Sequence, residues 1–134
     1  MERFCAYQER CEYDVRRKLT SFHLSENQMD EIVRLLREGR FLDEDRYVEM
    51  FVRSKTKAAW GRQKILAALR AKGFSNELIQ RHFSEIQDEV YFETMRSVIG
   101  KWRRSNPEAV NAREKLVRHL LSKGYSLDEI MREL

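Results

Sequence analysis

An internal repeat of about fifty residues constrains the fold of this chain more than any other feature. The segments Val15-Arg16-Arg17-Lys18-Leu19, Ile65-Leu66-Ala67-Ala68-Leu69 and Leu116-Val117-Arg118-His119-Leu120 each hold large aliphatic residues four positions apart. They recur at steps of 50 and then 51 residues. Four positions is slightly more than one helical turn, so each pair lies on one face of a helix. A period of this length belongs to a tandem array in which each unit buries its apolar face mainly against itself and its neighbours.

The repeat continues downstream. Lys72-Gly73-Phe74-Ser75 matches Lys123-Gly124-Tyr125-Ser126 and, more loosely, Phe22-His23-Leu24-Ser25. The glycines are expected at helix C-termini, where a residue of positive φ ends the helix. The serines are expected to be N-caps of the next helix. Gln28 and Glu129, three residues beyond Ser25 and Ser126, complete capping boxes. Aliphatic or aromatic pairs then follow at one-turn spacing: Met29 and Val33, Ile79 and Phe83, Ile130 and Leu134.

A further helix should precede the matched one in each unit. In the second unit Asp43 is its expected N-cap, and the helix runs through Tyr47, Phe51 and Val52 to about Lys57. In the third it spans about Asp88 to Trp102. A polar connection from Arg103 to Asn106 would follow, with Asn106-Pro107 opening the next helix in cap-then-proline order. The register places most of the first unit's opening helix before Met1. The expected architecture is all-α and extended: tandem three-helix repeats at 1–38 (opening helix largely missing), 39–86 and 87–134, forming an elongated surface.

Composition agrees with a helical array. In 134 residues, 42% are hydrophobic and 36% charged, with one proline and five glycines, too apolar and too regular for a disordered tail. The N-terminus lacks the apolar core of a secretory signal, and no apolar run reaches bilayer-spanning length. Cys5 and Cys11 form no CxxC pair. They are expected as small buried apolar residues in a reduced, cytoplasmic protein, without disulfide or metal.

The net charge of +4 is sorted along the chain. Residues 53–72 contain Arg53, Lys55, Lys57, Arg62, Lys64, Arg70 and Lys72 and no acid. Residues 96–123 contain Arg96, Lys101, Arg103, Arg104, Arg113, Lys115, Arg118 and Lys123 against Glu108 and Glu114. Both basic stretches occupy the same part of the repeat: the end of its first helix and all of its second. An isolated charged stretch is usually a solvated helix face, but recurrence in register favours a polyanion-facing surface. Seven duplex phosphate contacts would give a slope of log affinity against log salt of roughly −6. Trp60 and Trp102 lie among these cations. Stacking on a base is one role for them, and anchoring a helix junction is the commoner one.

Catalytic chemistry has little support. His23, His82 and His119 are scattered, and no GxSxG, HExxH or phosphate-binding glycine loop occurs. Asp43-Glu44-Asp45 reads as acids favourable to a helix N-terminus rather than a metal site, since adjacent helical residues do not converge on one ion.

Gly39-Arg40-Phe41-Leu42-Asp43-Glu44-Asp45-Arg46-Tyr47-Val48, followed by Phe51-Val52-Arg53, resembles the signature of the RecX family. Trp60-Gly61-Arg62-Gln63-Lys64-Ile65, Leu69 and Lys72-Gly73-Phe74 resemble its central block, and Cys11 to Leu19 its first-repeat element. The resemblance covers nearly the whole chain and is most specific over 39–74. His23, where the other repeats carry glycine, is a departure. The resemblance implies a non-enzymatic regulator of DNA recombination, DNA repair and the SOS response, without cofactor. It would bind along the groove of the RecA recombinase filament on single-stranded DNA and reduce strand exchange, ATP turnover and coprotease activity. Double-stranded DNA is a second candidate partner, no membrane is involved, and a monomer is expected.

Within that resemblance, Phe41, Asp43, Arg46, Trp60, Gly61 and Gly73 are expected to hold the second unit together. Arg53, Lys55, Lys57, Arg62, Lys64, Arg70, Lys72, Lys101, Arg103, Arg104, Arg113, Lys115 and Arg118 would face the filament or its DNA. Two other classes compete. A general DNA-binding protein with helix-turn-helix units would prefer particular duplex sequences without any recombinase, and a helical adaptor for an acidic protein would show no dependence on nucleic acid.

Overall fold

The computed structural model describes the backbone of residues 1–134 and every side chain except those of Ala6 and Tyr7. Among the described residues it is all-helical: α1 (Glu2–Tyr7), α2 (Glu12–Leu19), α3 (Glu26–Glu38), α4 (Glu44–Lys57), α5 (Arg62–Ala71), α6 (Asn76–Phe83), α7 (Asp88–Ser105), α8 (Ala112–Ser122) and α9 (Leu127–Glu133). A short 3-10 turn, Thr20–Phe22, follows α2. Among the described residues no helix is long and apolar enough to cross a membrane.

The repeat appears as successive three-helix groups, each with its own core. Val15 and Leu19, Ile65 and Leu69, Leu116 and Leu120 are all buried, in three separate apolar clusters. Burial of each such side chain stabilises by about 1.5–3 kcal/mol. The clusters are joined at their edges. Cys11 belongs to the second core although it begins α2, and Ile86 packs on both the second and third cores. Phe41 and Leu42 join the first core. Cys5 and Cys11 are buried free thiols, and burial raises the pKa of both.

Local chemistry sets the boundaries. Ser25, Ser75 and Ser126 cap α3, α6 and α9, each accepting the backbone N–H three residues on. Gln28 and Glu129 complete their boxes by accepting the cap N–H. Asp43 caps α4 by accepting the Arg46 N–H. Gly73 and Gly124 take φ of 94° and 97° at the ends of α5 and α8. His23 holds the matching place in the first group at φ 56°. This left-handed conformation strains a residue with a Cβ, although histidine visits it more readily than most.

Two boundaries differ from the sequence reading. The third group's first helix continues past Trp102 to Ser105, and Asn106-Pro107 does not start α8. The Asn106 side-chain amide instead donates back to the Trp102 carbonyl at 2.8 Å, closing the end of α7. The chain then turns, and α8 starts after Asn111 at φ 55°. The side chain that looked like an N-cap was within reach of an unsatisfied C-terminal carbonyl, and that partner won. In the first group the opening helix is the short α1. In register it matches the last turns of α4.

Candidate nucleic-acid interface

The basic residues are positioned by two joints between the helix groups. Each joint sets the start of one group's second helix against the turn after the next group's second helix. At the second joint, Gly61 begins α5 without a side-chain cap. The orphan N–H groups are satisfied from the third group. Gly61 donates to the Lys123 carbonyl at 2.7 Å, Gln63 to the Gly124 carbonyl at 3.1 Å, and Arg62 to the Tyr91 hydroxyl at 2.9 Å. The approach is so close that a Cβ on Gly61 would lie 2.1 Å from the Gly124 carbonyl carbon.

Side chains complete this joint. The Arg62 guanidinium lies 3.9 Å from the Tyr91 ring centroid and pairs with Asp88 at 3.1 Å and Glu129 at 3.5 Å. The Tyr91 hydroxyl donates to Glu129 at 3.2 Å. Burial pushes the Tyr91 pKa well up, so it remains a donor at neutral pH.

The first joint uses side chains instead. Lys72 donates to Asp14 at 3.0 Å and to the Tyr47 hydroxyl at 2.7 Å, and Asp14 also accepts the Cys11 N–H at 3.2 Å. Burial disfavours the Asp14 carboxylate, but these hydrogen bonds and the Lys72 charge outweigh it and lower its pKa. Lys72 is likewise desolvated, yet its bonds to Tyr47 and Asp14 raise its pKa overall. Burial also pushes Tyr47 up to about 12. Arg46 bonds Glu9 at 2.5 Å and donates to the Arg40 carbonyl at 3.0 Å. Arg37 bridges Glu12 at 3.0 Å and Glu44 at 3.5 Å.

The seven cations of 53–72 therefore do not form one free track. Arg62 and Lys72 are used in the joints, and Arg53 pairs with Glu49 at 2.6 Å. Lys55 and Lys64 lie over the Trp60 ring, 4.6 and 4.2 Å from its centroid. Trp60 itself meets Phe51 edge-on at 6.2 Å in the second core. Lys57 and Arg70 are exposed and outside any ion pair among the described residues.

The structure brings Lys57 to the second basic stretch. It shares with Lys101 and Lys123 a cleft of about 490 Å³, between the end of α4 and helices α7 and α8. His119, Trp102 and Asn106 also line it, and none of its lining residues is acidic. Arg103, Arg104, Lys115 and Arg118 are exposed on α7 and α8 outside this cleft. Arg113 is turned toward the Met131 sulfur at 3.6 Å. Lys123 was legible as one more cation of its stretch. Its place beside Lys57 is a product of the second joint and has no local sequence signal.

This arrangement of joined three-helix groups is one known from other proteins. The family model for the second three-helix domain of RecX matches residues 43–81. Regulatory protein RecX of Clostridium perfringens is 31% identical over 121 residues, covering 87% of this chain and 57% of the relative. That of Salmonella paratyphi A is 25% identical over 138 residues, covering 96% of this chain and 83% of the relative. The chain is similar to RecX proteins along nearly its whole length.

Solved RecX structures agree in fold. The crystal structure of regulatory protein RecX superposes with a TM-score of 0.86 at 24% identity, covering 96% of this chain and 66% of the other. That of RecX from Lactobacillus salivarius gives 0.81 at 24% identity, covering 97% and 86%. The chain spans little more than half the length of the clostridial RecX proteins it matches.

Proposed function

We propose that this chain is a non-enzymatic regulator, chiefly an inhibitor, of the RecA recombinase. It binds along the groove of the RecA filament on single-stranded DNA and thereby slows strand exchange, ATP turnover and coprotease activity. The likeness to RecX proteins carries this reading, because the match runs along nearly the whole chain. The unpaired cations support it. Lys55, Lys57, Lys64, Arg70, Lys101, Arg103, Arg104, Lys115 and Arg118 are the residues proposed to face the filament or its DNA. Phe41, Asp43, Arg46, Trp60, Gly61 and Gly73 are proposed to maintain the fold around them. The chain acts in the cytoplasm, as a monomer built of repeats at 1–38, 39–86 and 87–134.

The test is DNA-dependent ATP hydrolysis by RecA with this protein added below the RecA concentration. Strong inhibition at that ratio is expected, because a filament ligand acts on many subunits at once. No inhibition by folded protein, with the DNA not sequestered, would remove the proposal. Exchanging Lys55, Lys57 and Lys64 for Glu should abolish inhibition while keeping the helical signal. Arg62 is left unchanged in that variant because it is already paired with Asp88 and Glu129.

A further inference from the structure

The cleft between α4, α7 and α8 gathers three lysines and no acidic side chain. The neighbouring groove of about 350 Å³ beside α4 mixes Arg46, Arg53 and Lys57 with Glu9 and Glu49. The larger cleft has Lys57, Lys101 and Lys123 on its walls and no carboxylate. None of these lysines has an ion-pair partner among the described residues. Trp102 and Lys123 are half-buried, so part of the lining is fixed rather than waving in solvent.

A simpler account is that these lysines complement helix C-termini, since α4, α7 and α8 all end near the cleft. Each C-terminus presents about half an elementary negative charge, felt only within its last turn. Three termini therefore offset about half of three ammonium groups, and the cleft keeps an excess of positive charge. Its volume of about 490 Å³ lies within the roughly 300–1,000 Å³ of small-ligand sites. An indole, an imidazole and the Asn106 side chain supply a flat apolar surface and polar edges beside the cations. That combination suits a phosphodiester joined to an unpaired base better than it suits carboxylates, which have no use for an aromatic floor.

We propose that this cleft seats one nucleotide of single-stranded nucleic acid, with the flanking phosphates on Lys57, Lys101 and Lys123 and the base against Trp102. The assignment deepens the reading of this chain as a protein working on single-stranded DNA and rests on it. The walls come from two helix groups, so the Gly61–Gly124 contact fixes the distance between Lys57 and its two partners. A seat set in advance in this way loses less entropy on binding.

The test is tryptophan emission of the full chain titrated with oligothymidylate in the absence of RecA. Quenching is expected in the unaltered protein, and Trp102→Phe should remove it while Trp60 still emits. A Lys57→Gln, Lys101→Gln, Lys123→Gln variant should bind roughly tenfold more weakly, with its salt slope smaller by about 2, the value for three single-strand contacts. Unchanged affinity and slope in that folded variant would overturn the proposal. Equal quenching by polyglutamate would also overturn it. Lost DNA binding with RecA inhibition retained would support the cleft as the strand site and place the recombinase contact elsewhere. Retained DNA binding overturns the cleft whatever happens to inhibition, so the two readings fail separately.

Discussion

The two joints of this molecule occupy the same place in the repeat and are built from different materials. The first connects α2 to the turn after α5 through the Lys72–Asp14 pair, beside two further ion pairs between the groups, Arg37 with Glu44 and Arg46 with Glu9. The second connects α5 to the turn after α8 through the backbone, with Gly61 and Gln63 donating directly to the Lys123 and Gly124 carbonyls. Side-chain pairs tolerate displacement and respond to salt and pH. Backbone hydrogen bonds at close approach tolerate neither a methyl group nor a shift of register. One repeat thus varies the stiffness of its joints by changing the residue at a helix start, Cys11 in one case and Gly61 in the other.

The largest difference between the joints is expected at the turn glycines. At Gly124 an added Cβ would lie 2.3 Å from the Lys64 Cβ, and φ is already left-handed. Gly124→Ala therefore combines overpacking of about 1–3 kcal/mol with strain of about 1–2 kcal/mol. Gly73 has the same sign of φ but nothing within 4 Å of that Cβ. Gly73→Ala should lose the strain alone, about 1–2 kcal/mol. Urea unfolding of the two variants measures the difference, and equal losses would mean that the joints are alike.

A smaller and more selective effect should follow acid and salt. The folded-state pKa of Glu12 is lowered, first by its hydrogen bond to Arg37, and that of Asp14 is lowered against its burial by Lys72. A lowered carboxylate pKa stabilises above the unfolded value near about 4 and is lost as pH falls through the folded value. Lys72 is raised, so its contribution holds below about 10.4 and is lost as pH climbs through the folded value. Asp14→Asn at neutral pH should imitate the acid side of this window. Amide exchange should then quicken at the start of α2 and change little at Gln63 and Lys64. Raising salt to about 1 M, where the Debye length is about 3 Å, should act in the same direction. Equal quickening in α5 would show that the Arg62 pairs with Asp88 and Glu129, rather than the backbone bonds, hold the second joint.

The smallest effect concerns the first group's turn, where His23 stands in place of glycine. His23→Gly removes left-handed strain of about 1–2 kcal/mol and adds chain entropy of about 0.5–1 kcal/mol. A gain of about 0.5 kcal/mol in thermal unfolding is expected. A loss would assign the imidazole a contact worth more than the strain it causes.

Much of the fold was legible because it rests on local rules. The buried pairs Val15 and Leu19, Ile65 and Leu69, Leu116 and Leu120, the serine caps and Asp43 each act within a few residues of themselves, and the structure places them as their spacing predicts. Asn106-Pro107 misled for the same reason. Its local pattern admits a helix start, while the nearby Trp102 carbonyl offered the amide a better partner. The basic stretches were legible as charge but not as a surface. Whether Arg62 faces solvent or Glu129 depends on a residue 67 positions away.

That this chain is helical, repeats at about fifty residues and concentrates positive charge in one part of each repeat can be read from its residues alone. Those properties follow from side-chain periodicity and capping, which act over one or two helical turns. Which cations remain unpaired, and the meeting of Lys57 with Lys101 and Lys123, emerge only in the folded molecule. Those outcomes depend on how one group docks on the next. At the second joint, docking is governed by backbone groups that every residue carries and no sequence pattern displays.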